Sequence, residues 1–362
     1  MLPVTPLLCT KSESDAPETL LSHGINNNHF QSAIHRLHTL FIIYSRTCPA
    51  PLPAPGLIVT PEIRTQCERY LPIKDIAAIF NRLYTAALTY PPILSSTPFH
   101  NAMSWADTFA TLPAEFQSSA NPALLLDSLL ADDHLLTRFL FASFLPDRFY
   151  GTIGRYPEQQ QFIREWLLSR KTATLNCLDA ACGTGEETYG LALLLSEGKF
   201  PPEEVWIDGW TLEPLEVWAA THRRFPHDRR REALLRGTTS ALIRQGYGRR
   251  ISFSCQDIFT SPSPVPLPAK NSGRAAGKNS LFDLILCNGL LGGPIINGKD
   301  QIDRAVCNLA QLLAPGGFLL AADHFHGGWK QKCPQRELRA SFERHGLQHV
   351  ETGEGTGGLK PD

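Results

Sequence analysis

The sequence of 362 residues lacks several patterns that mark common protein classes. It contains no apolar run of about eighteen residues, so no transmembrane helix is predicted. Its first ten residues, MLPVTPLLCT, lack the basic n-region and the long apolar h-region of a signal peptide. Nine cysteines are present, an odd number, and no C-x-x-C occurs. These absences argue against a disulfide framework or a zinc site and predict a reduced, cytoplasmic protein.

An excess of one charge is also lacking. The formal net charge is −1, so neither a nucleic-acid partner nor an anionic membrane surface is predicted. Residues 222–250 are the local exception, with nine arginines against two acidic residues. We predict a solvated helical face there, because charge runs are most often that. The alternative is a surface that steers an acidic protein partner.

Composition and spacing divide the chain into three parts. Residues 1–28 are polar and irregular and are predicted to be a flexible tail. Residues 29–145 are predicted to form a helical N-terminal domain without a chemical motif, serving packing and recognition. Residues 146–362 form the remaining domain, in which the Pro-, Ser-, Gly- and Lys-rich stretch 261–280 is predicted to be a mobile loop. The helices predicted in the first domain are His29–Tyr44, Pro61–Tyr70, Ile73–Leu88 and a long helix from Pro122 to Phe144.

A glycine turn within residues 175–192, LNCLDAACGTGEETYGLA, organises the second domain. An apolar run, two alternating glycines and an apolar helical run indicate a strand, a tight turn and a helix start. A dinucleotide site would require a third glycine where Thr188 stands, and Glu186 and Glu187 would repel a pyrophosphate. The same carboxylates would attract a cation. S-adenosylmethionine (SAM) carries a sulfonium and an ammonium, and its usual loop is D-x-A-x-G-x-G, so we predict a SAM site here.

From this turn onward, strands and helices alternate. This alternation predicts crossover units and a mostly parallel, Rossmann-like sheet of six to seven strands, with ligands beyond the carboxyl ends of the strands. The predicted strands are Leu175–Cys182, Val205–Leu212, Ile251–Gln256, Phe282–Asn288, Phe318–Ala322 and Leu347–Glu351, with only the weak stretch Gly357–Pro361 for a seventh. The predicted helices are Glu186–Leu195, Pro214–His222, Asp300–Leu313 and Glu337–His345.

Polar side chains at the first two strand ends are predicted to bind the cofactor. Asp179 would orient the loop or meet the ammonium through water. Glu186 would meet the ammonium directly, unless it is only a first-turn charge on the helix dipole. After the second strand, Thr211 and Glu213 compete for the ribose hydroxyls.

The next two strand ends complete the predicted site. Asp257 fits the adenine amino group, with Ile258 against the ring, and Asn288 lies next to the reactive centre. Upstream, Arg155 could be a solvated charge, but as a guanidinium fork it suits the methionine carboxylate. The predicted cofactor-binding set is Arg155, Asp179, Ala181, Gly183, Gly185, Glu186, Thr211, Glu213, Asp257, Ile258, Asn288 and Leu290.

The predicted reaction is in-line displacement at the sulfonium methyl. A carboxylate acceptor is already ionised and needs no general base, so alignment by Tyr150, Arg155 and Asn288, the predicted catalytic residues, would suffice. A hydroxyl or amine acceptor would need a base, for which His324 and His326 are the candidates. The local D-H-x-H string offers too few ligands for zinc, so no metal is predicted.

Several of these motifs resemble one family, the CheR-type chemotaxis receptor methyltransferases within the class I SAM-dependent methyltransferases. AACGTGEETYGLALLL is similar to the family's A-A-x-S-T-G-E-E-P-Y-S-I-A-x-x-L, and GRYPEQQQFIREWL to F-F-R-x-P-E-Q-F-x-x-L. FDLILCNGLL resembles F-D-x-I-F-C-R-N-V-L, and LLAPGGFLLAADH resembles L-x-P-G-G-x-L-x-x-G-H-S-E. The resemblance covers about residues 145–350. It departs from the family at Thr211, which replaces an aspartate, and before Asn288, where the family's arginine is missing.

The resemblance implies a class I methyltransferase sheet, SAM as cofactor and S-adenosylhomocysteine as product. It places Arg155 at the family's SAM-contacting arginine and implies a side-chain carboxylate of an acidic protein as the methyl acceptor. Two alternatives stay open at this point: an O- or N-methyltransferase of small molecules, and a SAM-binding regulatory module without catalysis.

Overall fold

The computed structural model describes residues 17–22, 24–146, 151–170, 174–260, 281–293, 295–323 and 331–362. Most of the predicted tail, the loop 261–280, Tyr150, His324 and His326 lie outside the described residues. Contacts between residues divide the described chain into a helical unit, 17–146 with 225–229, and a sheet unit, 151–224 with 230–362. None of the described helices has the length and apolarity needed to cross a membrane.

The helical unit is built from amphipathic helices with defined starts. Side chains of Thr60, Ser104, Asn121 and Asp132 each accept a backbone N–H in the first turn of the following helix, as N-caps do. The helices are α1 (Gln31–Thr47), α2 (Pro61–Tyr70), α3 (Ile73–Ala87), α4 (Trp105–Thr111), α5 (Pro122–Ala131) and α6 (Asp133–Phe144).

The predicted single helix from Pro122 to Phe144 is wrong, because Asp132 interrupts it. Asp132 has an extended backbone, with φ −134° and ψ 105°, and its carboxylate accepts the N–H groups of His134 and Leu135. An aspartate that satisfies the first donors of a new helix favours a break over continuation.

Aromatic rings fill the core of the helical unit. Tyr84 stacks on Phe139 with a centroid distance of 5.9 Å and donates its hydroxyl proton to Ser143 Oγ at 2.9 Å. The separate segment 225–229 contributes Phe225, which is fully buried, and His227, whose Nε2 lies 3.1 Å from the Leu145 carbonyl oxygen.

The sheet unit contains seven strands in the order β3-β2-β1-β4-β5-β7-β6. The strands are β1 (Leu175–Asp179), β2 (Val205–Thr211), β3 (Ile251–Cys255), β4 (Phe282–Leu286), β5 (Leu313–Ala321), β6 (Gln348–Val350) and β7 (Thr356–Leu359). The helices are α7 (Pro157–Ser169), α8 (Glu186–Glu197), α9 (Pro214–His222), α10 (Arg229–Arg244), α11 (Lys299–Leu312) and α12 (Gln335–Arg344). Strands β1 to β5 pair in parallel, whereas β7 is antiparallel to both β5 and β6.

The structure confirms the predicted Rossmann-like sheet, which is mostly parallel and has seven strands. Its central strands β1 and β4 are almost continuously buried, because both faces of the sheet are covered. The edge predicted to be weak is complete, since β7 pairs with β5 along Phe318–Ala321 and with β6 along Gln348–Val350. The turn into β7 requires Gly355, at φ +82°, because a side-chain carbon there would lie 2.1 Å from the Ala321 carbonyl oxygen.

Candidate functional site

The glycine turn follows β1 and leads into α8, as expected from the sequence. Gly183 and Gly185 both have positive φ, +49° and +89°, and the Gly185 N–H donates to the Cys182 carbonyl at 2.8 Å. A Cβ on Gly185 would lie 2.9 Å from the ring of Phe253 in β3. Packing against β3, together with the left-handed backbone, therefore explains this glycine before any ligand is considered.

Asp179 ends β1 and is fully buried beneath the turn. Its Oδ2 accepts the hydroxyl proton of Thr188 at 2.7 Å, while its Oδ1 has no hydrogen-bond partner among the described residues. Burial raises the pKa of this carboxyl to about 6, although Thr188 and the Ala181 N–H favour the ionised form. A buried carboxylate oxygen without a donor is costly, and a ligand that carries N–H groups would satisfy it.

Glu187, the second residue of α8, lies in the same electrostatic environment. Its Oε2 accepts the Asn288 side-chain N–H at 2.8 Å. Burial raises the pKa of Glu187 to about 8, and the negative charge of Asp179 adds to this, while the positive charge of Arg155 opposes it. Two carboxyl groups with raised pKa values therefore sit together where the sequence predicted an ammonium group.

Glu186, predicted to contact the ammonium directly, accepts hydrogen bonds from the protein, and its contact with a ligand stays a prediction. Arg231 of α10 donates to Glu186 Oε1 from Nε at 2.8 Å and from Nη2 at 2.6 Å. The Thr184 hydroxyl donates to Glu186 Oε2 at 2.7 Å. Both charged side chains are nearly buried, so Arg231 also departs from the predicted solvated face. The sequence marked both glutamates. Both interact electrostatically with Asp179, and Glu187 also accepts the hydrogen bond from Asn288.

Asn288 follows β4 and connects four elements. Its amide pairs reciprocally with that of Gln159 in α7, at 3.0 Å and 2.8 Å. Its Oδ1 also accepts the N–H of Ala322 after β5 at 2.8 Å, and its Nδ2 donates to Glu187. Both donors and both acceptor sites of the amide are thereby used. Asn288 therefore holds Glu187 in place, a role that the sequence did not reveal because Gln159 lies 129 positions away.

Arg155 and Tyr156 precede α7 and reach the same region. The Arg155 guanidinium lies 5.1 Å from the centroid of the Tyr156 ring, and its charge acts on Glu187. Tyr156 is buried, and burial together with the Glu187 charge raises the pKa of its hydroxyl above the usual range. Glu354, in the turn before β7, fixes the start of α7 by accepting the N–H groups of Glu158 and Gln159, each at 3.1 Å.

The second strand end offers three polar groups where two were predicted. Thr211 donates its hydroxyl proton to Glu216 in α9. Glu213 is buried and caps α9 by accepting the Leu215 N–H at 3.2 Å. Glu216 is the additional carboxylate, and no pattern in the sequence singled it out. Which group binds a ribose stays a prediction.

The residues predicted for the adenine end separate into surface and core. Asp257 is partly exposed after β3, and its Oδ1 accepts the Phe259 N–H at 2.9 Å. Ile258 is buried in the hydrophobic core, and Leu290, after β4, packs against that core. Within the described ranges no group of His, Cys, Asp or Glu residues has an arrangement that could hold a metal ion.

Comparisons with known proteins found similar solved structures but no matching sequence family. No protein-family model and no curated protein matches the chain. The N-methyltransferase NodS from Bradyrhizobium japonicum matches with 17% identity and a TM-score of 0.34, over 58% of this chain and 99% of its own. A SAM-bound amino pentose methyltransferase from Micromonospora echinaspora matches with 14% identity and a TM-score of 0.35, over 57% and 91%. An rRNA methyltransferase from Streptomyces viridochromogenes matches with 14% identity and a TM-score of 0.37, over 61% and 88%.

Proposed function

We propose that this chain is a SAM-dependent methyltransferase that transfers a methyl group to a side-chain carboxylate of a protein. The observation that carries the cofactor is the pair Asp179 and Glu187 at the end of β1. Both have raised pKa values, and Asp179 Oδ1 lacks a donor. A cation bound between such groups is stabilised by both charges, which favours an ammonium-bearing ligand over a phosphate.

In this proposal each part of SAM has a partner among the described residues. Asp179 and Glu187 would hold the ammonium, and Arg155 would pair with the methionine carboxylate. Thr211, Glu213 or Glu216 would bind the ribose, and Asp257 the adenine amino group. Apart from Arg155, which precedes α7, these positions lie at or after the carboxyl ends of β1, β2 and β3, the edge at which Rossmann-like sheets bind their ligands.

When bound, SAM supplies an activated methyl group on a sulfonium. The chain's own contribution is alignment: Arg155 and Glu187 fix the amino-acid end of the cofactor, and Asn288 holds Glu187 in position through its hydrogen bond. Formation of the new C–O bond would break the S–C bond and return its electron pair to sulfur. An ionised carboxylate has no proton to lose, so alignment would suffice without a general base. The products are a methyl ester and S-adenosylhomocysteine.

The acceptor class rests on the sequence resemblance around Arg155, the glycine turn and Asn288. A carboxylate acceptor needs no general base. It therefore also agrees with a site in which this proposal assigns the described polar residues to cofactor binding. Methyl transfer to a small molecule, and SAM binding without transfer, remain as outcomes of the experiment below.

Calorimetric titration with SAM and S-adenosylhomocysteine tests the cofactor. Wild type should bind both, and Glu187→Gln should weaken both by about tenfold or more because it removes a charge-assisted contact. Glu197→Gln, at the exposed end of the same helix, is the matched control and should bind like wild type. If wild type fails to bind, the proposal is wrong. If Glu187→Gln binds normally, the ammonium site lies elsewhere.

Methyl-labelled SAM then tests the acceptor. Incubation with acidic proteins should give base-labile label that is released as methanol. Base-stable label would point to N-methylation, and label found only in small molecules would favour a small-molecule methyltransferase. Binding without any transfer would identify a regulatory module.

A further inference from the structure

The outward side of α10 forms a basic surface. Helix positions turn by about 100° per residue, which places Arg230, Leu234 and Arg244 within about 80° of one another over a length of about 21 Å. The arginines are exposed, and Leu234 is 61% exposed. Small residues lie between them at four-residue spacing. We call this set the α10 basic face: Arg230, Ala233, Leu234, Gly237, Ala241 and Arg244.

The opposite side of α10 anchors the helix. Leu235, Thr239 and Leu242 are buried, and Arg231 pairs with Glu186 at the glycine turn. The outward arginines are therefore not needed to hold α10 in place.

Positive charge on the α10 basic face is not neutralised by the protein. Neither Arg230 nor Arg244 forms a salt bridge with any residue that the structure describes, whereas the neighbouring Arg236 interacts with Glu232 at 3.8 Å and donates to the Arg223 carbonyl at 3.0 Å. The surrounding segment 222–250 holds nine arginines and two acidic residues in a chain whose net charge is −1. Such a local excess attracts an anionic partner.

From these features we propose that the α10 basic face docks an acidic segment of a partner protein. Exposed Leu234 between two arginines is typical of a protein interface, in which an apolar centre is flanked by charge. The small residues leave room for the partner's main chain. A nucleic-acid surface would be expected to have aromatic rings for base stacking and a domain of high pI, whereas this face has no aromatic residue and the chain has a pI near 6.9.

The docking surface deepens the proposed function, because a methyltransferase for protein carboxylates would need to bind an acidic substrate. The docking surface is tested by peptide binding alone, without methyl transfer. A failure of this proposal can therefore be distinguished from a failure of the proposed function.

Fluorescence anisotropy with the full chain provides the test. The probes are a fluorescein-labelled helical peptide of glutamate, alanine and leucine, the same peptide with glutamine for glutamate, and a labelled single-stranded RNA. The variants are R230Q/R244Q and Leu234→Ser. The control R46Q/R336Q removes the same charge from exposed arginines on α1 and α12. Circular dichroism verifies that each variant is folded.

Wild type should bind the acidic peptide with an affinity that falls as salt rises. R230Q/R244Q should weaken binding about tenfold, Leu234→Ser about threefold, and R46Q/R336Q less than about twofold. No binding to wild type, equal binding of the glutamine peptide, or equal losses in both double variants would overturn the proposal. RNA that binds more tightly than the acidic peptide and loses affinity in R230Q/R244Q would replace it with a nucleic-acid surface.

Discussion

Glu187 and Asp179, which we propose bind an ammonium group, are unfavourable for the ligand-free protein when both are ionised. Each carboxyl is partly or fully withdrawn from water, and each raises the pKa of its neighbours when ionised. Near neutral pH, the ligand-free protein keeps a proton on Glu187 that this group would lose in water, whereas Asp179 loses its proton at a higher pH than usual. A bound cation reverses this, because it favours the ionised forms.

The stability of the ligand-free protein should therefore depend on pH through Glu187. The pKa of Glu187 is raised from 4.5 to about 8, so its contribution is present below 4.5 and is lost as pH rises through 8. The glutamine in Glu187→Gln does not titrate, so this pH-dependent loss of stability is absent from the variant. Its side-chain oxygen can still accept the Asn288 N–H. We compare the unfolding free energy of Glu187→Gln with that of wild type at each pH. The difference, variant minus wild type, should be about 2 kcal/mol larger at pH 8.5 than at pH 5, allowing for screening of a partly buried group.

Urea denaturation at the two pH values measures this difference. Glu197→Gln controls for the loss of one carboxylate on α8, since its side chain is exposed. A Glu187→Gln effect that is the same at both pH values would contradict the raised pKa.

At the scale of elements, Asn288 and Glu354 fix α7 relative to the sheet. Glu354 accepts two N–H groups at the start of α7, where a carboxylate also interacts favourably with the helix dipole. Asn288 joins Gln159 of α7 to Glu187 of α8 and to the backbone after β5. Helix α7 carries Arg155 and Tyr156 immediately before its first turn, so these bonds set the geometry of the cofactor's predicted carboxylate partner.

Asn288→Ala should cost much more stability than the same change at a matched site. It leaves polar groups of Gln159, Glu187 and Ala322 without their partner, which we expect to cost about 3 kcal/mol. Asn308 is equally buried, 8% exposed, but makes one hydrogen bond, to the Ile258 carbonyl at 2.7 Å. Asn308→Ala should cost about 1 kcal/mol. Equal losses of unfolding free energy in urea denaturation would show that the additional hydrogen bonds of Asn288 do not stabilise the fold.

For the whole molecule, the cysteines report how the chain is packed. In the part of the chain that the structure describes, Cys48, Cys255 and Cys307 are partly exposed, and no disulfide is formed. Burial raises the pKa values of Cys177 and Cys287 far above the usual range. Because the thiolate is the reactive form, these two should be among the last to be alkylated, together with Cys182, whose pKa burial also raises well above its usual value.

Peptide mapping after timed alkylation of the native protein tests this order. The partly exposed thiols should react at least about tenfold faster than Cys177 and Cys287, and the difference should disappear in concentrated urea. Early labelling of Cys177 or Cys287 would show that the core around β1 or β4 opens readily.

The sequence was most informative where a pattern is local. Neighbouring residues determine the glycine turn, the strand ends and the alternation of strands and helices. The fold could therefore be predicted from them. The choice between Glu186 and Glu187 is not local, because it depends on Arg231, 45 positions away. Likewise, β7 has little apolar character of its own, and its pairing with β5 makes it a strand. The break at Asp132 was local but was outweighed by the apolar periodicity around it.

The segment 225–229 belongs by its contacts to the helical unit, although the chain on either side of it builds the sheet unit. The two units are therefore interleaved in the sequence and are not consecutive modules. A single cut after residue 146 would deprive the helical part of Phe225, whose side chain is fully buried. A single recombination or truncation boundary would not separate one complete unit from the other. We therefore expect the two units to be inherited and engineered together.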